Sequence, residues 1–273
     1  MIFTNDITSI FNIFIIAVIE AITEIFPISS TLHLILFGKL VNINSNQIIF
    51  IESFVQLGSV FSLLIIFKKK WMAIFYFSFN KLIKTNYRYK NITILHIFLS
   101  IFPIILIGLL IYSKITCLTN SKNMLYSLII GTMLLLFSEI IVKKNKKIKN
   151  LKKISYLQAF LIGLIQCIAL CPGCSRLGTT VSGAILLGVE KSIAVNYSFI
   201  IAIPILFGVS ILNIIELSKE ILFKNFILYI IGLIISFSIS MLTIRKTLFI
   251  ITNYSFYPFI IYRIIIIILF LLI

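Results

Sequence analysis

Six stretches of this chain stay apolar over roughly 20 residues, at about 48–67, 93–112, 123–142, 192–214, 225–244 and 255–273. A helix must be about that long to cross the hydrocarbon of a bilayer, where every backbone N–H and C=O is satisfied within the segment. Six such stretches among 273 residues leave no stretch for a water-soluble domain. Composition agrees, with 60% of residues hydrophobic and 12% charged. The fold class expected is an all-α polytopic membrane protein.

The net charge of +16 does not call for a nucleic-acid partner. Lys and Arg lie mainly in short connections: Lys68 to Lys70 with Lys81 to Lys90, Lys143 to Lys153, and Arg245 with Lys246. Basic residues there mark cytoplasmic loops. The N-terminal "MIFTNDITSI" has no basic region before its apolar run, so no removable signal peptide is expected.

Two further regions, 8–40 and 155–190, are apolar but interrupted by Pro, Gly and hydroxyl residues. Irregular backbone is tolerated at membrane depth where protein buries it or it lines a wet cavity. If each region enters and leaves by the same face, every basic cluster falls on one side of the membrane. The expected topology is therefore six transmembrane helices plus two re-entrant broken helix pairs. Each half then holds one broken pair and three spans, an odd number, so the halves are inverted. The expected repeats are 1–145 and 150–273 within a single membrane domain. "FIIAVIEAITEIFPISS" and "FLIGLIQCIALCPGCSR" align, with Glu20 opposite Gln166 and Ser29 opposite Ser175. Inverted repeats with broken helices place binding sites where the breaks meet.

The first break carries Glu20 and Glu24 on one helical face, then Pro27, Ser29, Ser30, Thr31 and His33. Two acids one turn apart repel and are costly to bury. The bland reading is one protonated Glu bonded to the other in a bundle core. The functional reading is a pair that holds a divalent cation or acts as general base. The hydroxyls can cap the next helix, and His33 can be a satisfied core histidine. Beside the acids, Ser30 and His33 instead suit a nucleophile and its acid, base or phosphate contact.

The second break reads "CPGCSRLGTTVSG". Arg176 presents a planar fork suited to phosphate oxygens, or else it neutralises Glu20 or Glu24. Gly173 frees the backbone, and Ser175, Thr179 and Thr180 stand at a helix start, where N–H groups favour an anion. Cys167, Cys171 and Cys174 have the spacing of iron–sulfur ligands, but are read here as small apolar fillers.

Glu20-x3-Glu24, "PISST" with His33, "QLGS" at 56–59 and "PGCSR-LGTT" at 172–180 together resemble the bacterial undecaprenyl-pyrophosphate phosphatases, the integral membrane enzymes of bacitracin resistance. "YSFIIAIP" at 197–204 and "YPFIIYR" at 257–263 extend the resemblance through most of the chain. It implies hydrolysis of undecaprenyl pyrophosphate to undecaprenyl phosphate and inorganic phosphate, which recycles the lipid carrier for peptidoglycan. It further implies a polyprenyl pyrophosphate substrate, a Mg2+ or Ca2+ cofactor, and an inner-membrane site opening to the periplasmic side. A homodimer is the candidate assembly. By motif position the functional set is Glu20, Glu24, Ser30, His33, Ser175, Arg176 and Thr180. Two positions depart from the family pattern: Leu32 stands where glycine is usual, and Leu177 where a second serine is usual.

The chemistry expected is in-line displacement at the terminal phosphorus. Either Ser30 attacks, with His33 or Glu24 taking its proton, or carboxylate-activated water attacks directly. The alternative function is a secondary transporter or lipid flippase of the same architecture, which needs neither nucleophile nor base.

Overall fold

The computed structural model describes residues 6–41, 43, 45–79, 92–118, 120–144, 153–216 and 219–272. Among them are ten α-helices, one 3-10 turn and no strand. In chain order the helices are α1 (Asp6–Thr23), α2 (Ser30–Leu40), α3 (Ser45–Phe79), α4 (Ile94–Leu118) and α5 (Ser121–Lys144). They continue with α6 (Tyr156–Gln166), α7 (Arg176–Leu186), α8 (Lys191–Glu216), α9 (Lys219–Asn253) and α10 (Tyr257–Leu272).

Both interrupted regions are broken helix pairs: α1 with α2, and α6 with α7. Five helices contain segments long and apolar enough to cross a membrane, in α3, α4, α5, α8 and α9. The protein is a multi-pass membrane protein. The sixth expected span, 255–273, corresponds to α10, a shorter apolar helix of 16 residues, because α9 continues to Asn253 and a turn intervenes before Tyr257.

Two basic boundaries read from sequence are corrected. Lys68 to Lys70 lie inside α3, and Arg245 with Lys246 lie inside α9, each helix being 35 residues long. Lys and Arg are good helix formers, and no Pro or Gly follows to end either helix. Lys70 donates to Asn196 and sits 4.3 Å over the Phe67 ring. Residues 81–90 and 145–152, expected as loops, lie outside the described residues.

The chain forms two compact units. The first comprises Met1–Ile65 with Ile203–Thr247. Its core joins Ile13, Ile16 and Ala17 of α1, Leu34 of α2, Ile48, Ile51, Phe54 and Val55 of α3, and Tyr229 of α9. Phe54 and Tyr229 stack with centroids 4.5 Å apart. A Cβ at Gly58 would lie 2.3 Å from Leu233 O, so glycine is what lets α3 and α9 meet backbone to backbone. Beside it, Ser59 Oγ lies 3.0 Å from Ser236 Oγ and 2.9 Å from Ser240 Oγ. Small residues with hydroxyl contacts are how helices associate where lipid removes any hydrophobic preference for protein. Gln56 accepts from Ser210 at 2.8 Å, so "QLGS" serves helix packing.

The second unit comprises Ile66–Ala202 with Leu248–Ile273. Here α4 packs on α6, and α5 packs on both α7 and α10. A Cβ at Gly163 would meet Ser100 O at 2.4 Å, a second close backbone approach. Glu139 on α5 accepts from the Phe256 N–H at 3.1 Å, and its Oε2 lies 3.9 Å from Lys191 Nζ. That pins the α9–α10 turn to α5. Ser155 and Gln158 form a reciprocal capping box that starts α6.

Candidate functional site

The first break lies within the first unit. α1 ends at Thr23, whose hydroxyl turns back to Ile19 O at 2.6 Å. The chain then closes on itself: Glu24 N–H donates to Glu20 O (2.9 Å), Phe26 N–H to Thr23 O (3.3 Å) and Ile28 N–H to Phe26 O (2.9 Å). Ser29 follows at φ 73, in the left-handed region, and α2 begins.

This corner sets the side-chain chemistry. Ser30 Oγ donates to Glu24 Oε2 at 2.8 Å. Its neighbour Thr31 donates to Glu52 Oε1, on α3, at 2.7 Å. Consecutive hydroxyls in one helical turn thus each hold a carboxylate, and Glu20 lies fully buried one turn before Glu24. His33 Nδ1 is 2.6 Å from Ser29 O. A carbonyl oxygen only accepts, so Nδ1 is the donor in this contact. Ser29 makes no side-chain cap to α2.

The second break lies within the second unit. α6 tightens into the 3-10 turn Cys167–Leu170, the chain turns through Gly173 at φ +108, and Ser175 takes φ 68 before α7. Ser29 and Ser175 are the non-glycine residues with positive φ among those described. Each immediately precedes an 11-residue helix, and they are the two serines that the sequence alignment paired.

Beyond the backbone the corners differ. Ser175 Oγ accepts from Gly178 N–H at 3.2 Å and so caps α7. Arg176 is half-buried and donates through Nη1 to Ser198 O at 3.3 Å. Thr180 Oγ1 lies 2.7 Å from Arg176 O and 2.9 Å from Gln166 Oε1. Thr179 Oγ1 donates within its own turn, 3.1 Å from Ser175 O and 3.0 Å from Arg176 O.

The structure therefore brings Glu24 directly to Ser30, sets His33 over Ser29 O, and ties Thr31 to Glu52. Separately, it gathers Gly173, Ser175, Arg176, Thr179 and Thr180 at the start of α7. Leu32 and Leu177 are both buried, within regularly formed helices. Cys174 Sγ donates to Ser127 O at 3.0 Å. Glu52 and Arg263 were passed over in the sequence. The signal available was that each is a lone charge within a strongly apolar run.

The pair Glu20 and Glu24 offers hard carboxylate oxygens, the donor chemistry of Mg2+ and Ca2+. Among the described residues no group of three His, Cys, Asp or Glu forms a metal-binding cluster.

Comparison with known proteins supplies independent findings. The family described as bacitracin resistance protein BacA matches residues 13–269. An undecaprenyl-diphosphatase of Baumannia cicadellinicola subsp. Homalodisca coagulata is 36% identical over 271 residues, 98% of each chain. An undecaprenyl-diphosphatase of Buchnera aphidicola subsp. Acyrthosiphon pisum (strain Tuc7) is 42% identical over 261 residues, 96% of each chain.

Proposed function

The chain belongs to the bacitracin resistance protein BacA family, and from that membership and the chemistry of its two breaks we infer how it acts. It hydrolyses undecaprenyl pyrophosphate to undecaprenyl phosphate and inorganic phosphate. Its substrate is a polyprenyl pyrophosphate lipid, and the enzyme works from within the membrane.

The contact that carries the mechanism is Ser30 Oγ to Glu24 Oε2, 2.8 Å. A general base must lie within hydrogen-bond reach of the proton it removes, and Glu24 does. Ser30 attacks the terminal phosphorus as its proton passes to Glu24. The bond from that phosphorus to the bridging oxygen breaks, and undecaprenyl phosphate leaves. Water then attacks the phosphoserine, giving a proton to a carboxylate; the Ser30 Oγ–phosphorus bond breaks, Ser30 Oγ takes its proton back from Glu24, and inorganic phosphate is released. Arg176 and the first-turn N–H groups of α7 stabilise the negative charge on the transferring group. His33, whose Nδ1 donates to Ser29 O, stands in the same corner as acid, base or phosphate contact. Glu20 and Glu24 would hold a divalent cation, which when bound neutralises charge on the pyrophosphate oxygens.

The site opens to the periplasmic side of the bacterial inner membrane, a reading that rests on the family membership. The inverted halves 1–145 and 150–273 belong to the same reading, supported by the paired left-handed serines. A homodimer belongs to it also, to be tested by mass in detergent.

The test is inorganic phosphate release from undecaprenyl pyrophosphate by purified protein, with Mg2+, with EDTA, and with Ser30→Ala. Cation-dependent release, and a phosphoserine at Ser30 trapped by acid quench and found by mass spectrometry, is the expected result. Release by Ser30→Ala at the wild-type rate would remove the covalent step and leave water as nucleophile. Transbilayer movement of the lipid without phosphate release would mark a transporter.

A further inference from the structure

Arg263 holds the second break from behind. It sits on α10 in the run "YPFIIYRIIIIILF" and has no exposed surface. A charged side chain at that depth is costly unless the fold supplies acceptors. The fold supplies them. Nε donates to Thr132 Oγ1 at 2.9 Å and Nη1 to Cys174 O at 3.1 Å. Nη2 donates to Leu128 O at 3.1 Å and Gly173 O at 3.0 Å.

Two of those four acceptors are consecutive carbonyls of the break, immediately before Ser175 and Arg176. A chain leaving a helix has carbonyls with no intrahelical partner, and buried ones must be satisfied from elsewhere. The flat guanidinium fork takes both in a fixed relation that a lysine ammonium cannot reproduce.

α5 closes the other side. A Cβ at Gly131 would lie 2.4 Å from Cys174 O and 2.5 Å from Arg263 Nη2. A Cβ at Gly173 would lie 2.6 Å from Met124 O. Thr132 Oγ1 accepts from Arg263 while donating to Leu128 O at 2.6 Å, so its proton and lone pair are both used. Break, α5 and α10 are thus locked with no side chain to spare. A non-glycine residue at positive φ persists only where its surroundings over-determine it. Ser175 at φ 68 is such a residue.

We propose that Arg263 is a positioning residue for phosphoryl transfer: its guanidinium fixes the Gly173 and Cys174 carbonyls, and through them the corner that presents Arg176. This deepens the phosphatase reading and rests on it. Arg263 touches neither phosphorus nor lipid in this account, so it acts on the rate of the chemical step more than on substrate capture. A misplacement of about 1 Å at a reacting group can cost about 100-fold.

The experiment measures phosphate release against undecaprenyl pyrophosphate concentration for wild type, Arg263→Lys, Gly131→Ala, Arg176→Lys and Arg263→Lys with Arg176→Lys. Thermal melting and monodispersity are read on every sample. The expected result is a kcat loss of about tenfold or more in folded Arg263→Lys and Gly131→Ala, with KM within about threefold. The double variant should lose much less than the product of its single losses, because both act through one corner. Wild-type kcat in folded Arg263→Lys and Gly131→Ala overturns the proposal, as do fully multiplicative losses. A kcat loss that only tracks the fraction folded also overturns it. Should Arg263→Lys fail to fold, Gly131→Ala decides, since it keeps the Arg263 side chain and crowds its Nη2 against the Cys174 carbonyl. Wild-type protein that releases no phosphate overturns the phosphatase reading itself, and is distinguished by that control.

Discussion

The two breaks share a backbone and divide the chemistry. Each places a serine at positive φ before an 11-residue helix, Ser29 at 73 and Ser175 at 68. At matched positions, however, Glu20 faces Gln166, and Ser30 faces Arg176. The first corner is acidic, and its backbone closes through its own turn. The second carries a cation, has its serine spent as a cap, and takes its closure from a guanidinium on α10. Two corners can thus share one backbone shape while carrying opposite charge.

Substitutions at the two corners probe that division. The largest effect is expected from Glu24→Gln, which keeps the shape but removes the base from Ser30. General-base loss is worth about 100- to 10,000-fold, read as the rate of phosphate release from folded protein. Arg176→Lys follows. It keeps the charge but loses the fork, and a drop of about 100-fold or more is expected in the same assay. If Arg176→Lys is near wild type, the second corner contributes charge alone and its geometry is incidental.

Glu52→Gln should cost less, because an amide oxygen can still accept from Thr31. A loss of about tenfold or below marks Glu52 as an anchor, whereas a loss rivalling Glu24→Gln would make it a third member of the acidic corner. The smallest effects separate the two serines. Ser175→Ala removes a helix cap and should lower stability by about 1 kcal/mol, and Ser29→Ala, which removes no cap, by only a few tenths. Thermal melting compares them, and equal losses would contradict the assigned capping difference.

The breaks themselves were legible in the sequence. Pro27, Gly173 and the hydroxyl runs interrupt the apolar regions 8–40 and 155–190, and the Glu24–Ser30 contact follows from their places around one corner. Helix ends at basic residues were misread, because charge marks where a side chain wants water and says little about where the backbone stops. Lys68 to Lys70 illustrate it, continuing α3 to Phe79. Glu52 and Arg263 were hidden for another reason. Their partners, Thr31 for the one and Gly173, Cys174 and Leu128 for the other, are distant in sequence. A lone charge in an apolar run announces that partners exist, without naming them.

The overrun of α3 and α9 has a physical consequence for how the enzyme sits in its solvent. Thirty-five residues make a helix about 52 Å long, against a hydrocarbon thickness of about 30 Å. Each helix therefore carries exposed bases part-way along, Lys68 and Lys69 in one and Arg245 and Lys246 in the other. Such side chains reach for headgroups while exposed rings beyond them, Phe75 and Tyr76 or Phe249, prefer the interface. These belts fix a vertical register against the lipid. A thicker or thinner bilayer is met by tilting the two longest helices, and α3 also holds Glu52 against the first corner.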